Sequence, residues 1–246
     1  MGYHWNWGVF LARVPSGETS YLGWMLSGLE TTLALSLSAW IIALVMGSVM
    51  GVLRTVPNRW LSGIAALYVE VFRNIPLLVQ LFIWYFVLPE LLPSGIGNAY
   101  KQMHPLLQQF AAAMVCLGLF TGARVCEQVR SGINSLPRGQ KYAGLALGFT
   151  LPQTYRYVLL PMAFRIIVPP LTSEFLNIFK NSAVASTIGL LELAAQGRQL
   201  VDYTAQPYES FIAVTLTFML LNAVIMGLMH RLEAKTRVPG YIGGGT

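Results

Sequence analysis

Tyr142-Ala-Gly-Leu-Ala-Leu-Gly148, followed after nine residues by Val158-Leu-Leu-Pro161, is the stretch that decides the fold. It lies in a basic segment between two apolar blocks, where a plain connection gives no packing reason for small residues at helical spacing. Gly139-Gln140 can start a helix and Gly148 can stop one, because glycine readily takes the left-handed conformation at a helix end. Between them, Tyr142, Leu145 and Ala146 share a face at i, i+3, i+4 spacing. Ala143 and Gly144 carry almost no side chain, so the backbone of another protein can approach them closely. A second helical piece is expected from about Pro152 to Leu160. Pro161 then opens the next apolar block, at a position where proline is tolerated in a first turn. By composition alone the same stretch also reads as an amphipathic helix that simply joins two spans at a membrane surface.

Outward from this stretch, composition sets the solvent. The chain has 246 residues, 55% hydrophobic and 11% charged, with a mean hydropathy of +0.57. A soluble domain carries about a quarter charged residues, so lipid must surround much of this one. Thr31–Leu53, Leu106–Ala123 and Ser210–Met229 contain no charge, and each approaches the ~20 residues that cross a bilayer as a helix. The net charge of +6 does not mark a nucleic-acid binder, because the cations are dispersed between apolar spans. The N-terminus has neither a basic region nor a short apolar core, so no cleavable signal peptide is expected. Trp5, Trp7, Tyr21 and Trp24 read as interfacial anchors. Cys116 and Cys126 read as packing residues, and no metal site is expected.

Five membrane passes are the simplest arrangement, giving an all-α polytopic membrane protein. The first is Met25–Leu53. The second lies within Leu61–Leu92 and is interrupted at Arg73-Asn-Ile-Pro76, as either a kinked span or an interfacial helix feeding a span. The third runs from Leu106 to about Ala123 and continues toward Ile133. The fourth starts near Pro161, is bent by Pro169-Pro170 and continues brokenly past Lys180 to Leu191. The fifth is Ser210–Met229. One set of flanks holds Arg54, Arg59, Arg73, Arg124, Arg130, Arg138, Lys141, Arg156, Arg165, Arg231, Lys235 and Arg237, against Arg13, Lys101 and Arg198 on the other. The positive-inside rule places the richer set in the cytoplasm, with the N-terminus outside and the C-terminus inside. The expected organisation is an external N-terminal segment (1–23), a membrane domain (24–230) with a cytoplasmic loop near 134–161, and a cytoplasmic tail (231–246) whose Gly-rich end from Pro239 is expected to be flexible.

The small-residue loop resembles the EAA loop of ABC importer permeases, whose pattern runs Glu-Ala-Ala, three residues, Gly, nine residues, Ile, any residue, Leu-Pro. Tyr142 stands here for the family's Glu and Gly144 for its second Ala. Tyr68-Val-Glu-Val-Phe-Arg-Asn-Ile-Pro-Leu-Leu-Val-Gln80 and Asn177-Ile-Phe-Lys-Asn-Ser182 are similar to signatures of the polar amino-acid type. Leu53-Arg-Thr-Val-Pro-Asn-Arg59 and Ala123-Arg-Val-Cys-Glu-Gln-Val-Arg130 resemble the first permease subunit of bacterial glutamate/aspartate importers. The resemblance covers roughly residues 20–230. It implies a type I ABC importer permease fold in a bacterial inner membrane, moving a polar amino acid, most closely glutamate or aspartate. It implies as partners a homologous second permease, two ATP-binding subunits and a periplasmic substrate-binding protein. Tyr142, Ala143, Gly144, Leu145, Ala146 and Gly148 would then couple to an ATPase. The chain has no Gly-Lys dipeptide and so no Walker A phosphate cradle; ATP and Mg would be bound by the partner, and the chain itself would not be an enzyme.

Ionisable residues in apolar spans cost on the order of 2.5–3.5 kcal/mol each and tend to mark pathways. Glu70, Arg73, Glu174 and Lys180 qualify. Glu70 and Arg73, at i, i+3, can neutralise each other. Glu174 and Lys180 lie on nearly opposite faces unless the Pro169-Pro170 bend changes the register. Lys180 can line a path or gate, or reach toward the interface while Asn177 and Asn181 cap the break. An ion-coupled secondary transporter is the main rival reading, although such proteins usually show internal repeats and five unequal spans show none. An intramembrane enzyme is the second rival; His4, His104 and His230 lie outside or at the ends of spans, leaving no buried base beside a nucleophile.

Overall fold

The computed structural model describes residues 3–15, 17 and 19–236. Among these the chain is helical, and its only strand-like feature is an isolated antiparallel bridge between Arg13 and Ser20. Helix α1 (Tyr21–Leu53) is followed by α2 (Arg59–Asn74), whose N-terminus is capped by the Asn58 side chain accepting from the N–H groups of Trp60 and Leu61. Next come α3 (Leu77–Leu91, with a π turn at Ile83–Val87), α4 (Ser94–Lys101) and α5 (Pro105–Asn134). Helix α6 (Arg138–Ala146) precedes α7 (Leu151–Ile188), and α8 (Leu193–Thr204) and α9 (Pro207–Thr236) complete the chain. The Gly-rich end from Arg237 onward lies outside the described residues.

Helices α1, α5, α7 and α9 are each long and apolar enough to cross a membrane, and the α2–α3 pair supplies a fifth if counted as one broken span. That pair bends by 104°. The cause is local: Ile75, held extended ahead of proline at φ −96°, ψ 130°, cannot continue the helix, and Pro76 offers no N–H to it. A bend this sharp favours a separate helix feeding a short span over a kinked span. Half of the most apolar window of α5 is buried, against 11% for α9, so α5 is the most enclosed of these four helices.

The helix is not interrupted at Pro169-Pro170, where a bend is expected, and the broken path expected past Lys180 is found at Ser182–Ile188. Regular helix runs through both prolines from Leu160 to Asn181. The irregular turns of α7 lie instead at its two ends, as a π turn at Tyr155–Leu159 and a 3-10 stretch at Ser182–Ile188. The π turn sits just before Pro161, whose ring would otherwise press on the carbonyl four residues earlier. Gly189, at φ +90°, ends the 3-10 stretch, and Asn181 makes no side-chain capping bond there.

The chain divides into two compact units. The first comprises the chain up to Ala39, Pro76–Leu117 and Asn177–Val224. Its core gathers Val9, Val14, Tyr21, Met25, Leu193, Leu200 and Val214, so Tyr21 is a core residue and not an interfacial anchor; Trp5 and Trp7 remain exposed. Two carboxylates are wholly buried in it. Glu192 caps α8 by accepting the N–H groups of Ala195 at 2.8 Å and Ala194 at 3.0 Å. Glu209 accepts the Tyr3 hydroxyl and the Asn6 N–H, the latter at 2.6 Å, and so straps the N-terminal segment onto the start of α9.

The second unit comprises Trp40–Ile75, Gly118–Leu176 and the chain from Ile225 onward. Its core is built from Ala43, Val125, Val129, Ile133, Leu136, Tyr155, Leu159, Ala163, Ile167 and Leu171. Gly47 and Gly51 form a small-xxx-small step on α1, and a Cβ at either would come within 2.6 Å of α5 atoms. Such steps let membrane helices approach backbone to backbone. Cys116 and Cys126 are buried free thiols, as their packing role requires.

Candidate functional site

The loop between α5 and α7 is a compact helical hairpin in the second unit. Helix α6 starts at Arg138 and stops at Gly148, which takes φ +85°. The Gly148 N–H donates to the Leu145 carbonyl at 3.0 Å, and the Phe149 N–H to the Gly144 carbonyl at 3.2 Å. This pair of bonds is the Schellman termination. Thr150 and Gln153 then form a reciprocal capping box that starts α7. The turn is thus closed at both sides by hydrogen bonds encoded within residues 144–153.

The hairpin divides its small residues in a way the sequence did not anticipate. Gly144 faces inward: a Cβ there would meet the Thr154 methyl at 2.9 Å. Its lack of a side chain admits the chain's own α7, and a foreign backbone does not reach it. Tyr142, Leu145 and Ala146 share the exposed face as expected, with Ala143 exposed beside them. Tyr142 is 65% exposed and Leu147 77%. Tyr157 is exposed nearby, with the Arg156 guanidinium 5.8 Å above its ring. The result is an outward aromatic and apolar surface edged by cations.

The second unit also holds a cleft of ≈ 360 Å³ lined by Arg73, Phe120, Arg124, Glu127, Gln128 and Glu174. Arg73 and Glu174, far apart in sequence, thus share one cleft. Glu174 is mostly buried and lies 3.7 Å from the Arg124 guanidinium, beyond hydrogen-bonding reach. Arg124 stacks 5.0 Å from the Phe120 ring. Glu127 is engaged from both sides, by Arg54 and by Arg130 at 3.3 Å. The cleft itself is lined by two guanidinium groups and two carboxylates, and Arg54 and Arg130 hold Glu127 from outside that lining.

Other expected site residues stand apart. Glu70 is exposed and outside the cleft lining, and Arg73 pairs with the cleft and not with Glu70. Asn177 and Lys180 belong to the first unit; Lys180 is exposed and has no ion-pair partner among the described residues. Sequence reading missed Arg124, Glu127, Glu192 and Glu209. Glu209 had a signal, an acidic residue in a first helical turn just after Pro207. Arg124 and Glu127 stood in the quoted Ala123–Arg130 segment, and nothing in it marked either for a site. Among the described residues no group of three or more His, Cys, Asp or Glu could hold a metal ion.

Residues 43–238 match the family described as binding-protein-dependent transport system inner membrane component. The chain is 60% identical over 245 residues to the glutamate/aspartate import permease protein GltJ of Escherichia coli (strain K12), covering 99% of this chain and all of that one. It is 33% identical to the probable glutamine ABC transporter permease protein GlnM of Bacillus subtilis (strain 168), over 85% of this chain and 92% of the relative. Among solved structures, a chain of an amino acid ABC transporter crystallised with histidines superposes with a TM-score of 0.72 at 28% identity, covering 87% of this chain and 95% of that chain. The inward-facing MetNI methionine ABC transporter shares the fold, with a TM-score of 0.74 at 23% identity over 88% of this chain and 98% of that one. The chain therefore belongs to the family of inner membrane components of binding-protein-dependent transport systems, and it is an amino-acid-type ABC permease.

Proposed function

We propose that this chain is the permease subunit of an ATP-driven importer for glutamate and aspartate. The observation that carries the substrate is the 60% identity to a glutamate/aspartate import permease, sustained over 99% of the chain. The chemistry of the second unit supports it, since Glu127 is already held by Arg54 and Arg130 outside the cleft lining, which leaves Arg73 and Arg124 to face a dicarboxylate. An amino-acid ammonium would meet Glu174, and the substrate carboxylates would meet Arg73 and Arg124. The hairpin supplies the coupling. Tyr142, Ala143, Leu145 and Ala146 present the surface that an ATP-binding subunit on the cytoplasmic side would engage, while Gly144 and Gly148 hold its shape. Two such subunits, binding ATP and Mg, would drive this chain and a homologous second permease, and a periplasmic binding protein would deliver the amino acid. The N-terminus then lies outside and the described end of α9 inside. Movement of the hairpin would pass into α7 as a rigid-body shift.

Vesicles reconstituted with the whole assembly test this. Uptake of glutamate should need the binding protein and ATP, and vanadate should stop it. Uptake that ignores vanadate and collapses with an ionophore would assign the chain to ion-coupled carriers instead. In the same vesicles Lys180→Ala should lower uptake without lowering insertion; unchanged uptake removes Lys180 from the path.

A further inference from the structure

The hairpin's inner side holds a second feature that the import reading does not use. A cavity of ≈ 260 Å³ is lined by Thr55, Asn134, Arg138, Lys141 and Tyr155, with an apolar floor of Ile133, Leu136 and Leu159. At ~30 Å³ per liquid water, it has room for a small polar group with its shell. Arg138 and Lys141 have no ion-pair partner among the described residues. No carboxylate is near in sequence either: between Glu127 and Glu174 the chain has no Asp or Glu. The Tyr155 hydroxyl is already committed to the Thr55 carbonyl at 2.8 Å, which fixes the wall on that side. Asn134 also lines an adjoining ≈ 430 Å³ recess with Arg130, Ser131, Ser135 and Glu127, and Glu127 is the carboxylate already engaged by Arg54 and Arg130.

Two cations left without a counter-charge, beside hydroxyl and amide groups and above an apolar floor, describe a site for a phosphate that carries an acyl chain. We infer that this cavity binds the phosphate of an anionic phospholipid headgroup on the hairpin's side of the membrane. Basic pockets between membrane helices recognise such headgroups by charge and hydrogen bonding. The headgroup phosphate would lie between Arg138 and Lys141, with Asn134 donating from its amide and the first methylenes against Leu136 and Leu159. A headgroup with two phosphates could place the second in the adjoining recess beside Arg130. Occupation would brace α6 against the end of α5 and so set the stiffness of the hairpin that the importer moves.

The test uses the purified full chain in nanodiscs, with neither ATPase nor binding protein, so it can fail independently of the import reading. Phosphatidylglycerol should be retained in clear preference to phosphatidylcholine when lipids are counted by native mass spectrometry. Arg138→Gln with Lys141→Gln should weaken that retention about 30-fold, while Arg59→Gln with Arg231→Gln, the same charge change elsewhere, should leave it intact. Melting curves of both pairs confirm folding. Equal retention of the two lipids, or equal loss in both double variants, overturns the proposal. Millimolar inorganic phosphate separates the sources: protection of the chain by phosphate, with no advantage for phosphatidylglycerol, would make this a free-phosphate site and remove the lipid.

Discussion

The two units keep carboxylates away from water by opposite means. In the first, Glu192 and Glu209 are wholly buried and are met by backbone N–H groups and a tyrosine hydroxyl, with no cation bonded to either. In the second, Glu127 and Glu174 stay partly exposed and face arginines. Backbone donors are fixed in direction and cannot leave, so the first arrangement serves as scaffolding. Arginine side chains can swing to another anion, so the second can exchange partners. A loosely held carboxylate such as Glu174, 3.7 Å from its cation, is therefore the better candidate for work in transport than a fully satisfied one.

That contrast can be broken by substitution. Glu192→Ala should give the largest loss of stability, because it removes a helix cap and leaves two N–H groups of α8 buried without acceptors. The expected cost is about 2–4 kcal/mol, seen as a melting temperature lower by roughly 5–12 °C in detergent. A change under about 2 °C would mean that Glu192 is not scaffolding. A smaller effect should come with pH. Burial pushes Glu192 up from the usual 4.5 to about 7, against the opposing pull of the Ala194 and Ala195 N–H groups. Because the folded chain holds this proton more tightly than the unfolded one, the contribution is complete below about pH 4.5 and is lost as pH rises through 7. The melting temperature should fall between pH 5 and pH 8, and Glu192→Gln should flatten that slope. The smallest change in stability should follow Glu174→Gln: a partly exposed pair contributes about 1 kcal/mol or less. Glutamate uptake should nonetheless drop about tenfold or more; intact uptake would end the distinction between the two units.

Much of the fold could be read from patterns local in sequence. The uncharged runs marked α1, α5 and α9, and Arg73-Asn-Ile-Pro76 marked the break that becomes a 104° bend, because proline acts on its immediate neighbours. Gly148 announced the end of α6 for the same reason. The Pro169-Pro170 pair does not stop the helix, and the irregular path expected past Lys180 is the 3-10 stretch at Ser182–Ile188. Gly144 misled: its small size was legible, but which neighbour needed the space depended on the fold of the hairpin. The cleft was the least legible part. Arg73 and Glu174 were each singled out, yet only packing brings them beside Arg124 and Glu127, and nothing in their spacing foretold it. Gly47 and Gly51 carried a recognisable helix-packing spacing that sequence reading passed over.

The π turn at Tyr155–Leu159 has one more consequence. Such a turn accommodates one residue more than an α-helix would, and each residue of an α-helix advances the azimuth by about 100°. The extra residue is therefore absorbed where it sits, and the compass bearing of the hairpin about the axis of α7 does not depend on it. A one-residue deletion within 155–159 would draw the widened turn back to a regular one, whereas the same deletion in the regular helix that follows would turn Tyr142 and its neighbours by about 100° toward a different quarter.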